Sequence, residues 1–159
     1  MRSIDIASSD DIPRLFDIWE ASVKATHDFL DPDDFLLLVP IVERTLREFT
    51  PLHCVRDAAG QACAFIGVSE GTIEMLFVDP QHRGQGAGRA LVEFAIATLG
   101  ATRVDVNEQN GQALGFYERM GFAVEGRSGQ DPYGKPYPIL HLALTAPLRS
   151  SRSAEDLPG

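Results

Sequence analysis

The sequence predicts an α/β fold, and three observations support this prediction. An apolar run at residues 73–78 precedes a glycine-rich turn and then a helical pattern, which gives the order strand, turn, helix. A second strand-like segment, residues 104–107, is again followed by apolar residues at helical spacing. Residues 53–56 and 62–69 are typical of two strands joined in a hairpin. We therefore expect strands alternating with helices around one sheet.

The first fifty residues predict one strand and two helices. Residues 2–7 alternate between polar and apolar and can form a first strand. Ser8 or Ser9 is suited to cap a helix, whose apolar face would comprise Ile12, Leu15, Phe16, Trp19 and Val23. Pro32 suits the first position of a second helix, whereas Pro40 inside its apolar pattern predicts a kink or two short helices.

The rest of the chain continues this alternation. Residues 72–78 form the next strand, and the helix after the glycine-rich turn has its apolar residues at Leu91, Val92, Ala95, Ile96 and Leu99. Residues 122–126 and 138–144 predict the final strands. From Thr145 onward there is little to bury, so we expect one domain over residues 1–145 and a disordered tail over 146–159.

Composition excludes several classes of function. The 159 residues carry a net charge of −9, which argues against nucleic acid as a partner because phosphate backbones require a basic face. The chain contains no apolar run of about 20 residues, the length needed to cross a membrane. Its first residues form no apolar signal region, so we expect a cytoplasmic protein with no membrane partner.

The cysteines and histidines do not indicate a metal site. Cys54 and Cys63 lie on the two strands of the hairpin, which would place them opposite each other. We expect both to be reduced, since disulfides are rare in the cytosol. The four histidines are scattered without metal-ligand spacing, so we expect no metal.

The glycine-rich turn is the most informative segment. It runs His82-Arg-Gly-Gln-Gly-Ala-Gly-Arg-Ala-Leu91 between a strand and a helix. Backbone N–H groups at a helix start attract anions, and glycines allow a phosphate to approach them. Arg83 and Arg89 would add charge-assisted hydrogen bonds. The segment therefore predicts a phosphate site, which a pyrophosphate would fill.

Two common phosphate loops do not match this turn. A dinucleotide fingerprint has the spacing Gly-x-Gly-x-x-Gly, whereas Gly84, Gly86 and Gly88 have the spacing Gly-x-Gly-x-Gly. A Walker loop continues with Gly-Lys-Ser or Gly-Lys-Thr, whereas Gly88 here precedes Arg89. The remaining pattern, Arg83-x-x-Gly86-x-Gly88, resembles the acyl-CoA pyrophosphate loop of the GNAT N-acetyltransferase superfamily.

A second segment strengthens this resemblance. Asn107 ends a strand, and Asn110-x-x-Ala-x-x-Phe116-Tyr117-Glu-x-x-Gly121-Phe follows, with Gly121 where a left-handed C-cap is expected. This pattern resembles the second signature of the same superfamily, and it lies one helix and one strand after the first. The resemblance covers residues 1–145. It is nearest to the small bacterial YjaB-like acetyltransferases.

The resemblance implies a fold and a cosubstrate. The fold would be a GNAT fold, with a mixed, mostly antiparallel central sheet flanked by helices and splayed between the fourth and fifth strands. The cosubstrate would be acetyl-CoA, with no metal. The pantetheine arm would pair with the backbone of Phe77 and Val78. The other residues implied to bind CoA are Arg83, Gly84, Gln85, Gly86, Ala87, Gly88, Arg89, Asn110 and Phe116.

The same resemblance implies a mechanism in which an amine attacks the thioester directly. Tyr117 would protonate the departing thiolate, and Asn107 would hold the thioester carbonyl or order a water there. Glu74 shares a strand face with Leu76 and Val78, and it is our choice for the base that receives the amine proton. Asp105, Glu108 and His27 remain alternatives for that base.

The sequence does not identify the acceptor of the acetyl group. Trp19, His27 and Phe29 belong to the region of the first two helices and are predicted to line the acceptor pocket. Antibiotics, polyamines, amino acids and peptide amines all fit a primary-amine acceptor, and the protein would be a monomer or homodimer. An alternative from another class is a non-catalytic protein that binds or senses acyl-CoA, since a sensor needs only the glycine-rich turn.

Overall fold

The computed structural model describes residues 3–26 and 30–145. Within these residues, the strands are β1 (Ile4–Ile6), β2 (Leu52–Arg56), β3 (Ala62–Ser69), β4 (Thr72–Val78), β5 (Arg103–Asn107), β6 (Phe122–Ser128) and β7 (Ile139–Leu144). The α-helices are α1 (Ile12–Thr26), α2 (Pro32–Glu48), α3 (Ala87–Thr98) and α4 (Gly111–Arg119). The chain divides into two compact units: the first contains Ile73–Val92 and the residues before Glu70, and the second contains Glu70–Thr72 and the residues from Glu93 onward.

The first unit has a sheet of β1, β2, β3 and β4 in that order. β1 pairs antiparallel with β2, with Ile4 opposite Val55. β2 pairs antiparallel with β3, so the predicted hairpin is confirmed. The connection from β3 to β4 contains Glu70 and Gly71 with φ of 51° and 81°, values that suit a tight hairpin turn.

The predicted pairing of the two cysteines is wrong. Cys54 lies opposite Phe65, two positions from Cys63. The turn closed by the N–H of Asp57 and the carbonyl of Gln61 pairs Arg56 with Ala62, and the shift after Val55 adds one further residue. Neither the turn length nor this irregularity is evident from the sequence, and each moves the partner of Cys54 by one residue. Both thiols are buried and no disulfide joins them. Burial raises the pKa of Cys54, which makes its thiol unreactive.

The core of the first unit lies beneath α1 and α2. Of the apolar face predicted for α1, Leu15, Trp19 and Val23 are buried and Ile12 and Phe16 are half-buried against them, and Ile18, which was not predicted, is also buried. They pack with Leu46 of α2 and with side chains of β2 and β3. The hydrophobic effect of this burial holds both helices on the sheet.

The helix starts are partly as predicted. Ser8 forms a capping box with Asp11, but it caps a short 3₁₀ turn at Ser9–Asp11 that precedes α1. Asp31 caps α2, and Pro32 occupies its first turn as expected.

The expectation of two short helices is wrong, since α2 continues through Pro40. Pro40 cannot donate to the carbonyl of Leu36, but both residues are exposed, so water can hydrate that carbonyl.

The second unit has a sheet in which β7 lies between β5 and β6. Both pairings are antiparallel, and Asp105 of β5 lies opposite His141 of β7. α4 packs against β5 and β6. The buried side chains of these strands are Phe122, Val104, Val106, Leu140 and Leu142.

Alternation along β5 and β7 gives this sheet a second, more exposed face. Arg103 and Asp105 are exposed on β5, and His141 is half-buried on β7. Gly126 of β6 lies opposite His141 after a register shift that begins at Val124. Polar side chains from three strands therefore meet on one face, which a period of two residues permits.

Candidate active site

The turn after β4 is built on Asp79. Asp79 caps a 3₁₀ turn at Pro80–His82, where its side chain accepts a hydrogen bond of 3.1 Å from the backbone N–H of Gln81. Its own N–H donates to the carbonyl of Cys63 at 2.8 Å. The turn is thereby joined to β3 through the backbone and starts at a defined position.

Arg14 of α1 joins the same carboxylate. Its Nη2 donates to Oδ2 of Asp79 at 2.6 Å, and its Nε donates to the carbonyl of Ala62 at 2.9 Å. Nδ1 of His82 lies 3.5 Å from the same Oδ2. Burial raises the pKa of Asp79, but the hydrogen bonds from Gln81 and Arg14 outweigh burial, so the pKa is below its ordinary value. Asp79 is therefore charged and holds the turn against α1.

The glycines of the turn have the backbone that the phosphate prediction requires. Gly84 and Gly86 have φ of 76° and 86°, which favours glycine at both positions. A Cβ built on either residue meets no heavy atom within 4 Å, so the turn is open on that side. The N–H of Ala90 donates to the carbonyl of Gly86 at 3.0 Å, and α3 starts at Ala87. The first N–H groups of α3 therefore point out of the helix end beside this open turn.

The charged side chains of the turn face solvent. Arg83, Gln85 and Arg89 are exposed, whereas Ala87 is buried and holds the start of α3 against the unit. Two guanidinium groups and a helix N-terminus give this end of α3 a positive potential. The arrangement fits the phosphates of CoA, which bring negative charge to backbone donors.

The other predicted residues of the first unit have different environments. The Phe77 ring packs on Phe65, with centroids 5.7 Å apart, so only its backbone could serve a pantetheine arm. Val78 is half-buried and Glu74 is exposed. Trp19 is 5% exposed and stacks on Phe35 at 5.5 Å, which makes it a core residue. Its predicted contact with the acceptor is not favoured by this burial, and His27 and Phe29 lie outside the described residues.

In the second unit, two asparagines shape the chain between β5 and α4. The Asn107 side-chain oxygen accepts a hydrogen bond of 2.9 Å from the N–H of Gln109. Asn110 caps α4 by accepting from the N–H of Ala113 at 3.1 Å. Each carboxamide oxygen is thus committed to the backbone, and each NH₂ group is the part that could contact a substrate.

Tyr117 lies in an apolar environment on α4. Its ring makes edge contacts with Phe116 and Phe122, with centroids 5.1 Å and 5.8 Å away. Burial raises the pKa of Tyr117 well above its ordinary value. The hydroxyl is therefore protonated throughout the physiological range and can act as a hydrogen-bond donor. Gly121, which ends this helix, has a φ of 103°, as predicted for its C-cap.

The alternative bases in the second unit both have partners. Glu108 accepts two hydrogen bonds from Arg127, at 2.7 Å and 3.0 Å, and these lower the pKa of its carboxyl group. Glu108 is thus a weaker base than an ordinary glutamate. Oδ1 of Asp105 forms a hydrogen bond of 2.8 Å with Nδ1 of His141. Glu74, our choice from the sequence, stays a prediction.

Sequence reasoning missed Arg14, His141 and Ser128 as residues of interest. Arg14 lies 65 positions before Asp79, and no local pattern connects them. His141 contacts residues of two other strands, and those contacts depend on strand register. Only the Asp79-Pro80 pair carried a local signal, because this dipeptide is typical of a turn.

Residues 3–26 and 30–145 contain neither a metal-binding cluster nor a membrane-spanning helix. No cluster of three or more histidine, cysteine, aspartate or glutamate side chains in this part of the chain could hold a metal ion. No helix there is long and apolar enough to cross a membrane.

Comparison with known proteins identifies relatives of the whole domain. A family model described as an acetyltransferase (GNAT) domain matches residues 51–124. The peptidyl-lysine N-acetyltransferase YjaB of Escherichia coli strain K12 is 45% identical over 126 residues, which cover 79% of this chain and 85% of that protein. Its namesake in Salmonella typhimurium is 43% identical over 129 residues, covering 81% and 88% of the two chains.

A solved structure agrees with this relationship. The solution structure of apo-form YjaB from Escherichia coli matches with a TM-score of 0.85 and 41% sequence identity. The match covers 92% of this chain and 99% of that one. The α/β fold class predicted from the sequence is confirmed, while the splay between the fourth and fifth strands stays a prediction.

Proposed function

This chain belongs to the GNAT family of N-acetyltransferases, and we propose that its acceptor is the side-chain amine of a peptidyl lysine. The family model and the named relatives are acetyltransferases, which confirms the enzyme class predicted from the sequence and does not favour a non-catalytic sensor. Enzymes of this family use acetyl-CoA. The observation that carries the proposed acceptor is the 45% identity to a peptidyl-lysine N-acetyltransferase over most of both chains.

We assign the CoA phosphates to the turn between β4 and α3. The supporting observation is the open backbone at Gly84 and Gly86, beside the N-terminus of α3. N–H groups from Gln85 to Arg89 would donate to the phosphates, and the Arg83 and Arg89 side chains would neutralise them. The pantetheine amides would pair with the backbone of Phe77 and Val78, as an added strand does.

The family resemblance implies roles at the thioester and the pantetheine arm for four residues of the second unit. The NH₂ group of Asn107 would donate to the thioester carbonyl, because its oxygen is committed to Gln109. The NH₂ group of Asn110 and the ring of Phe116 would contact the pantetheine arm. Tyr117 would donate its hydroxyl proton to the sulfur as the thiolate departs. The hydroxyl carries its proton at neutral pH, and because burial raises the pKa of Tyr117 it is a weaker acid than an ordinary tyrosine.

A lysine acceptor sets the requirement for a base. A free alkylamine has a pKa of about 10.4, so well under about one per cent of it is nucleophilic at pH 7. A direct transfer therefore needs a group that removes a proton from the bound ammonium. The net charge of −9 favours cationic acceptors in general, since it raises their concentration near the surface.

A screen with acetyl-CoA and pooled amines tests this function. Release of free CoA thiol would be followed with lysine-containing peptides, free amino acids, polyamines and aminoglycosides as separate pools. The proposal predicts release with the lysine peptides and acetylation of their side-chain amines by mass spectrometry. Thiol release with polyamines or aminoglycosides alone would contradict the peptidyl-lysine acceptor.

A further inference from the structure

Ser128, His141 and Asp105 form a hydrogen-bonded group on the exposed face of the second unit, hereafter the Ser–His–Asp cluster. Nδ1 of His141 is 2.8 Å from Oδ1 of Asp105, and Nε2 of His141 is 2.7 Å from Oγ of Ser128. The His141 side chain is 37% exposed and that of Asp105 is 56% exposed. Ser128 is also exposed, so a small molecule can reach all three residues from solvent.

Strand pairing brings the cluster together. Asp105 of β5 lies directly opposite His141 of β7, and Ser128 of β6 lies opposite Ile139, one diagonal step from His141. Gly126 is the residue of β6 that lies opposite His141, and a Cβ there would be 3.7 Å from the imidazole. Because Gly126 has no side chain, the imidazole has room to reach the hydroxyl of Ser128.

The cluster lies on the face of the sheet away from Tyr117. The Tyr117 ring contacts Phe122, with centroids 5.8 Å apart, and Phe122 lies opposite Leu144 of β7. Leu144 and His141 are three residues apart on one strand, so their side chains point to opposite faces. The proposed acetyl transfer at Tyr117 therefore does not account for the cluster.

The hydrogen bonds determine which imidazole nitrogen is basic. An ionised Asp105 can only accept, so Nδ1 of His141 carries the hydrogen and donates it. Nε2 of the neutral ring then has a lone pair, which accepts from the hydroxyl of Ser128. A carboxylate thus orients an imidazole, and the imidazole holds the proton of a serine hydroxyl. This order of contacts activates the nucleophilic serine of serine hydrolases.

The approach to the Ser128 hydroxyl is open along β6. Gly129 is the next residue, and a Cβ built there would meet no heavy atom within 4 Å. Among the described residues, β6 is the last strand of the sheet and pairs with β7 alone. Alternate N–H groups of an edge strand point away from the sheet without a strand to accept them. Such groups can donate to the carbonyl oxygen of a molecule that the hydroxyl attacks.

We propose that Ser128 is an activated nucleophile that takes acyl groups from small aryl esters, with His141 as its base and Asp105 as the positioning residue. This activity is separate from acetyl transfer to an amine and does not require CoA. Because all three side chains are open to water, the cluster encloses little of a substrate. The substrate class is therefore small esters whose phenolate leaves readily.

Bonds and protons balance over two steps. In the first, the Ser128 hydroxyl gives its proton to Nε2 of His141, and Oγ forms a bond to the ester carbonyl carbon. The bond from that carbon to the phenol oxygen breaks, and the phenolate takes the proton from Nε2. In the second step, water gives a proton to Nε2 and its oxygen bonds to the acyl carbon. The bond to Oγ breaks, Oγ regains its proton, and a carboxylic acid is released.

Other charged groups near the cluster have partners of their own. Arg103 of β5 and Glu125 of β6 form an exposed ion pair, with Nε and Oε2 4.0 Å apart. Arg127 pairs with Glu108 at 2.7 Å. Asp105 is the carboxylate that contacts His141, so its charge is the one that stabilises the imidazolium in both steps.

Labelling with a fluorophosphonate tests the assignment, because this reagent bonds irreversibly to serine hydroxyls that have an adjacent base. We expect label on Ser128 of the folded protein, mapped by mass spectrometry of its peptides, and none after unfolding in urea. Ser69 is also exposed and ends β3, so it is the internal control and should stay unlabelled. His141→Gln should slow labelling by roughly 100-fold, within the usual range for a general base. Asp105→Asn should slow it less.

Turnover of nitrophenyl acetate tests the substrate class. Wild type should release nitrophenolate faster than Ser128→Ala, and quenched samples should carry one acetyl group on the peptide that contains Ser128. Arg103→Gln changes a charge on β5 without touching the cluster and should leave this rate unchanged. Ser128→Ala should keep the wild-type unfolding midpoint and its acetyl transfer from acetyl-CoA, because the serine is exposed and takes no part in that transfer.

Three outcomes would overturn this inference and leave the proposed acetyltransferase function intact. The folded protein could remain unlabelled at Ser128, which would make the cluster a surface hydrogen-bond network only. Ser69 could be labelled as fast as Ser128, or His141→Gln could be labelled as fast as wild type, and either would show that the imidazole activates nothing. Absence of acetyl transfer by wild type to any amine would instead end the proposed function and leave the labelling result standing.

Discussion

Arg14 and Asp79 are joined by a hydrogen bond of 2.6 Å between Nη2 and Oδ2, and this bond connects α1 to the turn that leads into the glycine-rich segment. Asp79 is 7% exposed, and its other side-chain oxygen accepts from the backbone of Gln81. Asp79 thus joins α1 and the turn through its carboxylate, and β3 through its backbone N–H. Asp79 lies just before the glycine-rich segment, so these contacts fix where that segment starts. The turn at Gly84 and Gly86 can therefore be open and still hold a defined position.

Replacing Asp79 with asparagine should weaken CoA binding and lower stability together. The amide keeps the size of the side chain and an oxygen that can accept from the Gln81 N–H, but it loses the charged oxygen that faces Arg14. We expect a loss of about 1–3 kcal/mol in the free energy of unfolding, and roughly tenfold weaker CoA binding by calorimetry.

Asp5→Asn is the matched control for this variant. Asp5 pairs with Arg56 at 3.0 Å, but its side chain is 51% exposed, so the change should cost under about 1 kcal/mol. It should leave CoA affinity unchanged. Equal effects of the two variants on CoA affinity would show that Asp79 has no special part in the turn.

Substitution of Gly86 separates backbone strain from loss of the phosphate site. Gly86→Ala places a Cβ on a residue with φ of 86°, which costs roughly 1–2 kcal/mol, and adds a methyl group where a phosphate would approach. Gly60 has nearly the same φ, 85°, and is equally open, but it lies in the β2–β3 turn. Gly60→Ala should therefore cost similar stability, and only Gly86→Ala should lose CoA affinity by calorimetry.

The glycine-rich turn and the two ends of α4 were predictable from local sequence, whereas the hydrogen-bonded chain of Ser128, His141 and Asp105 was not. Gly84, Gly86 and Gly88 carry their own conformational signal, and the strand and helix on either side have clear periods. Asn110 and Gly121 likewise mark the two ends of α4. Local propensity and tertiary structure agree at these positions.

Strand register explains most of the contacts that the sequence did not predict. The contact of His141 with Asp105 and Ser128 depends on the pairing of β7 with two strands and on the irregularity after Val124, none of which leaves a local pattern. The expected pairing of Cys54 with Cys63 failed because the turn at Asp57–Gln61 and the shift at Val55 together move the partner of Cys54 from Cys63 to Phe65. Pro40 stays within one helix, and Leu36, whose carbonyl loses its intrahelical donor, is exposed, so solvent can reach that carbonyl.

Acid should destabilise the protein in part through Asp11. Two hydrogen bonds from Arg56, at 2.9 Å and 3.0 Å, lower the pKa of Asp11 from 3.8 to about 2. A carboxyl group whose pKa is lower in the folded state adds stability above its unfolded pKa, and this stability is lost as the pH falls through about 2. We expect a contribution of about 1–2 kcal/mol at pH 7.

Urea unfolding of Asp11→Asn at a series of pH values checks this contribution. The difference from wild type should be full at pH 6 and should shrink between about pH 4 and 2. The neighbouring, exposed Asp10 supplies the control Asp10→Asn, which should change the pH dependence little. A difference that stays constant across the whole range would contradict the role of the Asp11 carboxylate.

Tyr117→Phe should reduce turnover without affecting the fold. The ring contacts with Phe116 and Phe122 remain, so the unfolding midpoint and CoA affinity should be unchanged. We expect kcat to fall by about 10²–10³ if the hydroxyl protonates the thiolate, with little change in KM for the peptide. Steady-state thiol release measures both constants, and a fully active variant would leave Tyr117 as a packing residue.

A single-turnover transfer with isotopically labelled acetyl-CoA and a lysine-containing peptide tests most directly whether the acetyl group passes straight to the lysine amine. Direct transfer predicts that the label moves to the lysine side chain in one kinetic phase, with one CoA thiol released per acetylated lysine and no label on the protein. Quenched samples analysed by mass spectrometry would follow all three species. Label that accumulates on the protein before the peptide, or that appears only as free acetate, would contradict direct transfer to the amine.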